Sequence, residues 1–423
     1  MRQGTPISLW DSTAVEQDYE SQMDGDQTAE VAIIGGGFTG LSTALHAAAR
    51  GVDCLVLEAN HIGYGGSGRN AGLVNAGVWL APQDVRAELG DAAGSKLVEL
   101  LSGGPGYVFE LIEKHQIRCE ARRNGTIHAA HSPAGLKDLV RRHDEWKRLR
   151  QPVELLSREE TAAKIGTGRF HGGLLDRRAG TINPMGYVRG LARAARGAGA
   201  RIATGVRVQS LHRAGDRWKL QTPRGAVTAR QVIIATETYS DQLWPGLSDS
   251  LTKIAYFQVA TEPLGERVAH ILPERHGVWD TAPIMLSLRR DGFDRLIFGS
   301  MGSVLGGTTG TSKRWAAARA RRLFPELGDV RFEAAWHGQL GMTPDHLPRI
   351  HRLAEGLYTP IGYNGRGISP GTMFGKAMAE LVSGGREDSL PIPVTDLRPA
   401  PNRALKSNFY KVVFAANQLV KSL

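Results

Sequence analysis

The stretch Ala29–Glu58, AEVAIIGGGFTGLSTALHAAARGVDCLVLE, restricts the fold more than any other part of the chain. Apolar residues Val31–Ile34 run into Gly35-x-Gly37-x-x-Gly40, an Ala-rich helical segment follows, and a second apolar run ends in Glu58. Strand, glycine turn, helix, strand and terminal acid in this order are the parts of a β-α-β dinucleotide-binding unit. Gly35 permits a tight turn off the strand, Gly37 puts no side chain in the way of a pyrophosphate, and Gly40 lets the helix approach the sheet. The helix N-terminus supplies free N–H groups and a positive dipole end for the phosphates. Glu58 is placed to accept hydrogen bonds from a ribose.

Composition sets the outer limits. A chain of 423 residues can bury a large core and is expected to form two lobes. Two cysteines, Cys54 and Cys119, exclude a disulfide framework or a cysteine metal site, and Cys54 is expected to fill core space. No His/Cys/Asp cluster has metal-ligand spacing and no GxSxG elbow is present, so neither a metal centre nor a serine triad is expected. The first residues, MRQGTPISLWDSTAVEQDYESQMDGDQ, lack an apolar core of the secretory kind. No apolar run approaches the roughly eighteen residues of a membrane span, and a cytoplasmic protein is predicted. The net charge of +10 is spread along the chain without any nucleic-acid module. It is read as a solvated basic surface, with steering of an anionic substrate or contact with a membrane surface as the alternatives.

Beyond Glu58 the pattern is interleaved. A glycine-dense loop, HIGYGGSGRNAG (His61–Gly72), is followed by mainly helical sequence, with apolar positions at helical spacing over Lys96–His115. Strand-like segments recur at Arg201–Leu211, Trp218–Thr222 and Gln231–Ala235, the last of them (QVIIAT) reading as a central parallel strand. TKIAYFQVATEP and APIMLSLRRDGFDRLIFGSMG read as antiparallel strands, with Asp291-Gly292 marking a hairpin. From Gly356 an apolar strand again enters a glycine loop and helix, GYNGRGISPGTMFGKAMAE. The predicted fold class is α/β: a Rossmann-like dinucleotide-binding domain, interleaved with an α+β domain built on an antiparallel sheet. The expected boundaries are 1–83, 155–244 and 336–400 for the first domain and 84–154 and 245–335 for the second. Residues 401–423 are expected to form an amphipathic helix.

The β-α-β unit alone fits NAD or FAD. Three further segments favour FAD: the glycine loop after Glu58, long enough to wrap a cofactor beyond its ribose; QVIIATETYS, a strand end suited to closing over the pyrophosphate; and GYNGRGISPGT, whose helix N-terminus could face a flavin ring. A nicotinamide dehydrogenase has no usual need for a cofactor element near residue 365.

GGGFTGLSTAL, GYGGSGRNAGLVNAG, LLDRRAGTINPMGYVRGLARAA, VIIATETYS, TPDHLPRI and GYNGRGISPGTMFGKAMAE span nearly the whole chain. Together they resemble the FAD-dependent D-amino-acid oxidase and glycine oxidase superfamily, which implies that the Rossmann-like domain is an FAD-binding domain of glutathione-reductase type and the α+β domain the substrate domain. The nearest resemblance is to its bacterial branch containing L-pipecolate oxidase and gamma-glutamylputrescine oxidase. Position by position, it implies that Gly35, Gly36, Gly37, Phe38, Thr39 and Gly40 cradle the pyrophosphate and that Glu58 and Ala59 hold the adenosine ribose. Ser67, Gly68, Arg69, Asn70, Ala71, Gly72 and Leu73 would run past the pyrophosphate to the flavin. Val208 would pair with adenine through its backbone, and Thr236 would close over the pyrophosphate from the QVIIAT strand end. Asn364, Gly365, Arg366, Gly367 and Ile368 would lie against the pyrimidine end of the ring, where backbone donors stabilise negative charge.

Two positions depart from the family pattern. The usual Ala-Thr-Gly is here Ala235-Thr236-Glu237, and the arginine that typically clamps a substrate carboxylate is replaced in the Trp336–Asp345 stretch by Gln339 and Leu340. Arg289 or Arg290 is the candidate substitute clamp. Covalent attachment of flavin in relatives uses a late cysteine or a histidine in the loop after the acid. Here neither Cys54 nor Cys119 is late in the chain, and the corresponding stretch of the loop reads Ser67-Gly-Arg-Asn-Ala-Gly72, so dissociable FAD is expected.

The implied reaction is oxidation of a C–N bond of a secondary amine or imino acid, L-pipecolate-like, by hydride transfer to flavin N5. An amine, polyamine or aminophosphonate without a clamped carboxylate is the alternative, and oxygen or quinone is the acceptor. Such a reaction needs placement and a dry pocket more than a side-chain base. Tyr256, Phe257 and His337 are the expected pocket residues, Lys253 a candidate oxygen-activating cation, and His346 a weaker ligand-facing candidate. Leu405, Phe409, Val412, Val413, Ala416, Leu419 and Val420 share one face of the tail helix, which could lie on an anionic membrane or pack on the body.

Overall fold

The computed structural model describes residues 7–306 and 310–422. Residues 1–6, 307–309 and 423, which belong to the expected first, fourth and tail segments, lie outside the described residues.

The first of two large sheets is built around Gln27–Ile34. That strand pairs in parallel with Cys54–Glu58 on one side and Gly225–Ile234 on the other; Arg201–Thr204 and Leu357–Ile361 extend the parallel set outward. Arg349–Ala354 and Val394–Thr395 complete one edge, while Arg217–Thr222 and Ser210–Ala214 hang antiparallel from Gly225–Ile234. The expected Arg201–Leu211 strand is thus two separate strands. Val31, Ala32 and Ile33 are fully buried because helices cover the face of Val31 and Ile33, while Trp218, Leu220, Leu247 and Leu251 belong to the apolar cluster on the face of Ala32. Each such Val or Ile side chain contributes about 1.5–3 kcal/mol.

Register matters more to function than to burial. Ile34 pairs with Leu57 and with Ile234, so three strands end level. The Gly35 N–H donates to Leu57 O (2.9 Å) and the Ala235 N–H to Ile34 O (2.8 Å), stitching the ends together. The cleft outside these carboxyl ends is where such sheets bind ligands.

The Phe38–Ala48 helix leaves only His46 incompletely buried. It lies against the sheet through Gly40, where an added Cβ would overlap the Gly35 carbonyl oxygen. Its other side meets the Ile368–Val382 helix. There Gly375 sits so close that a Cβ would fall 2.6 Å from Thr39 O, and Ser42 Oγ donates to Thr372 O at 2.7 Å.

The second sheet runs Phe332–Met342, Thr252–Thr261, Leu296–Met301, Leu286–Arg290, Gly277–Asp280, Thr126–Ala129, Gly173–Asp176, Val153–Leu156. It is antiparallel except where Gly277–Asp280 runs parallel to Thr126–Ala129. Two expected boundaries cut across it. Residues 155–176 and 336–342 were assigned to the cofactor domain, yet Gly173–Asp176 pairs with Thr126–Ala129 and Trp336 pairs with Gln258. The expected hairpin forms between Leu286–Arg290 and Leu296–Met301. Its positive φ falls on Asp294 (62°) rather than on Gly292, because Asp291 Oδ1 accepts from both Phe293 N and Arg295 N and closes a longer loop.

The tail forms a helix, Arg403–Val420. Phe414 and Gln418 face the body, with Gln418 accepting from Ser312 Oγ at 2.9 Å and donating to Ser303 O at 3.0 Å. The apolar face foreseen from sequence points the other way: Leu405, Phe409, Val412, Leu419 and Val420 are all exposed, Leu405 by 72%. No helix among the described residues is long and apolar enough to cross a membrane.

Gly40→Ala forces the helix off the sheet. It is expected to cost about 1–3 kcal/mol, the usual range for overpacking, in urea unfolding of the apoprotein.

Candidate active site

A cleft of about 250 Å³ opens at the level ends of the three central strands. Of the expected cofactor residues, Gly35, Gly36, Gly37, Phe38, Thr39, Glu58, Ala59, Ser67, Asn70, Val208, Thr236, Gly365 and Gly367 line it. Gly40 and Gly68 do not: Gly40 is the helix–sheet contact, and a Cβ at Gly68 would overlap Met185 and the Gly63 carbonyl. Gly72 (φ 70°) lies under Arg289 and the Ile182 carbonyl, lining neither cavity. Arg69, Ala71, Leu73, Asn364, Arg366 and Ile368 line an adjoining cavity of about 90 Å³ instead.

Two helix N-termini point into the cleft. Gly37 precedes Phe38–Ala48 and Gly367 precedes Ile368–Val382; neither helix has a side-chain cap or an acid in its first turn. Phe38 N–H donates to Ser67 Oγ at 3.0 Å; the positive ends of both helices face the cleft without an acid of their own first turn to offset them. At the far end Glu58 accepts from Gly36 N (2.7 Å) and Asn60 N (2.8 Å), and burial pushes its carboxyl up from the ordinary value. A Cβ at Gly35 (φ 112°) would meet the Ala235 carbonyl oxygen at 2.9 Å, and one at Gly37 would press on Ser67 Oγ at 2.8 Å. A ribose acceptor, a glycine cradle at one N-terminus and a second N-terminus farther along fit FAD: ribose, pyrophosphate and an electron-rich ring.

Glu237, the departure from the family glycine, takes up a positive φ of 46° and turns inward. Its carboxylate accepts from Thr238 N and Thr238 Oγ1 and, at 3.2 Å, from Gly362 N, tying two strand ends together beside the cleft. Burial pushes this carboxyl up as well.

The adjoining cavity shares Gly66, Asn70, Gln339, Leu340, Gly365 and Gly367 with the cleft, so the two are continuous. Trp79, Trp279, Met285, Met301 and Met342 make its apolar wall, and Tyr256 lines it while donating to Ser287 Oγ at 2.6 Å. No carboxylate, histidine or lysine lines it among the described residues; its cations are Arg69 and Arg366. Arg69 Nε donates to Tyr64 O at 2.9 Å.

Several expected site residues stand elsewhere. Arg289 is buried, its Nη1 donating to Ala71 O (3.0 Å) and Ile182 O (2.7 Å) and its guanidinium lying over Trp10. It fastens the glycine loop and lines no cavity; burial pushes its pKa down to about 10. Arg290 binds Asp294 and the Ala269 and Ile271 carbonyls. His337 is exposed, because strand alternation puts it opposite the cavity face that Gly338 shares with Tyr256. Phe257 follows the same parity into the second core, against Trp315 at 5.0 Å. Lys253 Nζ donates to Ser240 O at 3.1 Å outside both cavities, and His346 sits exposed on a turn. Sequence reasoning missed Trp79, Trp279 and the three cavity methionines. They come from five different segments and no local motif marks them, although Met301 and Ser287 share the sheet face of Tyr256 in register.

The chain belongs to the DAO family: the family model described as FAD dependent oxidoreductase matches residues 30–381. It is 32% identical over 384 residues to Probable oxidoreductase OrdL of Rhizobium meliloti (strain 1021), covering 89% of this chain and 88% of that protein. Its identity to gamma-glutamylputrescine oxidoreductase of Escherichia coli (strain K12) is 31% over 367 residues, or 85% of each chain. Among solved structures, glycine oxidase from Geobacillus kaustophilus shares the fold with a TM-score of 0.70 at 23% identity, over 85% of this chain and 96% of that one. L-Amino acid deaminase from Proteus myxofaciens does so with a TM-score of 0.71 at 18% identity, over 88% and 94%. The protein is an FAD-dependent oxidoreductase of amine or amino-acid substrates.

Folding favours the protonated form of Glu237, so its stabilising contribution is complete below the ordinary carboxyl pKa and is lost as pH rises through the folded value. Glu237→Gln mimics that protonated form. The melting temperature of the variant minus that of wild type is expected to increase from pH 4.5 to pH 8.

Proposed function

We propose that the protein oxidises the C–N bond of a secondary amine or cyclic imino acid to an imine, with an L-pipecolate-like compound as the leading substrate class. The observation that carries this reading is the cavity continuous with the cofactor cleft, walled by Trp79, Trp279 and three methionines and, among the described residues, lined by no carboxylate, histidine or lysine. Bound FAD supplies the two-electron acceptor for hydride from the carbon next to nitrogen. The chain's part is placement and dryness. The indole and thioether walls exclude water, and the Tyr256–Ser287 hydrogen bond locks the phenol ring that forms one side. With no side-chain base on the wall, the substrate enters as the neutral amine and its own lone pair assists loss of hydride. The Ile368–Val382 helix N-terminus supplies positive potential where charge accumulates on the acceptor. An amine, polyamine or aminophosphonate without a clamped carboxylate is a second reading, supported by the uncharged Gln339 and Leu340 on the wall that the cleft and the cavity share. Anaerobic mixing of the yellow protein with pipecolate, proline, sarcosine, N-methyl amines or polyamines is expected to bleach the flavin with at least one of them. Bleaching by none would defeat the proposal, and peroxide release in air separates oxygen from quinone as acceptor.

We further propose a cytoplasmic enzyme that touches anionic lipid through Arg403–Val420. The helix contains no acid, its apolar face is outward, and exposed Lys406 and Lys411 flank that face on either side. Wild type is expected to sediment with phosphatidylglycerol vesicles. A Leu405→Ser/Phe409→Ser/Val412→Ser variant, which spares Phe414 and Gln418, is expected to remain in the supernatant; wild type in the supernatant overturns the idea.

A further inference from the structure

Behind the substrate cavity lies a third chamber of about 40 Å³, which shares Asn75, Trp279 and Arg366 with it. Its other walls include Thr126, His128, Arg142 and Asp176. Most of the charges here are paired. Asp176 is held by Arg178 through bonds of 2.8 and 2.6 Å. Arg142 binds Asp138 at 2.7 Å and the Trp79 carbonyl at 2.9 Å. His128 stacks on Trp279 at 3.4 Å and is neutral, since burial and the Arg142 and Arg366 charges hold its pKa well below the ordinary value.

Arg366 has no such balance. Its Nη1 donates to Ala76 O at 2.9 Å, and its guanidinium lies between the rings of Trp79 and Trp279, 4.8 Å from each centroid. No carboxylate among the described residues pairs with it, and its Nε is buried without a partner. His128 Nε2, on the same chamber wall, is also buried and unpartnered. The indole faces hold the cation in place but do not neutralise it. Buried charges are ordinarily paired, and one left unpaired is pushed toward its neutral form; burial and Arg142 push the Arg366 pKa down to about 9. The part of Arg366 that remains accessible faces the two cavities.

We infer that Arg366, with the chamber behind Trp279, receives a carboxylate carried by the amine substrate. The chamber has room for a group of about three heavy atoms, since one water occupies roughly 10–15 Å³ on the same scale. A planar guanidinium fork matches a carboxylate. Asn75, whose Oδ1 accepts from Thr126 Oγ1 at 2.8 Å, keeps its amide N–H groups as donors to the carboxylate oxygens. The arginine sits between Gly365 and Gly367, both of which line the cofactor cleft, so one loop sets the position of substrate anion and flavin ring together. This replaces the cofactor contact expected of Arg366 and the clamp expected of Arg289.

The assignment rests on the amine-oxidising reading, and the test separates the two. With FAD-loaded protein, butanoate serves as an unreactive carboxylate probe, read by the shift of the flavin absorption band and by the rise in melting temperature. Wild type is expected to bind it, Arg366→Met to bind it at least tenfold more weakly, and Arg366→Lys to fall between. Equal butanoate affinity in all three overturns the assignment, and Arg366→Lys alone decides it should the Met variant fail to fold. In anaerobic flavin reduction, wild type is expected to prefer L-pipecolate over piperidine, or 5-(methylamino)pentanoate over N-methylpentylamine, by at least tenfold in KM. That preference is expected to collapse in Arg366→Met through a rise in KM for the carboxylate-bearing member of each pair and to be partly recovered in Arg366→Lys; an undiminished preference in Arg366→Met overturns the assignment. Arg366-dependent butanoate binding without reduction by any amine would leave the anion site standing and remove the amine reading.

Discussion

Two helices that are far apart in sequence touch through glycine, and the cofactor site depends on that contact. Gly375 and Gly371 of Ile368–Val382 lie against Thr39 and Ser42 of Phe38–Ala48, with hydrogen bonds from Ser42 to Thr372 O and between Thr39 and Tyr363 across more than three hundred residues. Larger side chains at these glycines would drive the helices apart. Because they cannot separate, the N-termini preceded by Gly37 and Gly367 open into the same cleft. One positive end faces the place of a pyrophosphate and the other the place of an electron-accepting ring. Gly40 sets the second coordinate by holding the first helix to the sheet.

Around that frame, three buried arginines do different work according to what surrounds them. Arg289 spends its donors on the Ala71 and Ile182 carbonyls and so fixes the loop that forms part of the cavity floor. Arg178 is neutralised by Asp176 and stiffens the chamber wall. Arg366 has neither a carboxylate nor a full set of carbonyls, only two indole faces and one backbone oxygen. The same side chain is a fastener where its hydrogen bonds are met by the chain itself, and a receptor where they are left open toward a cavity.

Local sequence carried the cofactor half of this protein well. Glycine spacing, the acid at Glu58 and the strand–loop–helix of GYNGRGISPGT each have a mechanism confined to a few neighbouring residues, and the structure brings their lining residues together. The substrate half was far less legible. Tyr256 lies where it was expected, but His337 and Phe257, chosen as aromatic or titratable residues on the same strands, fall on the opposite face. A strand's side-chain parity is set by its pairing register, and register is a property of two segments at once. Trp79 and Trp279 belong to segments two hundred residues apart whose meeting edge-on at 5.3 Å nothing local announces. Likewise, the apolar stripe of the tail was plain from its spacing, whereas the side of that helix turned to the body was settled by Gln418 bonding to Ser303 and Ser312.

What the amino-acid order determined by itself is a dinucleotide-binding β-α-β unit within an interleaved α/β chain. Those follow from backbone conformations only glycine adopts and from periodicities read along one segment. Which cation faces the substrate was decided only by tertiary structure. Arg289 and Arg366 are equally basic on paper; packing closes the first around carbonyl oxygens and leaves the second without a counter-charge, and that difference arises where distant segments meet.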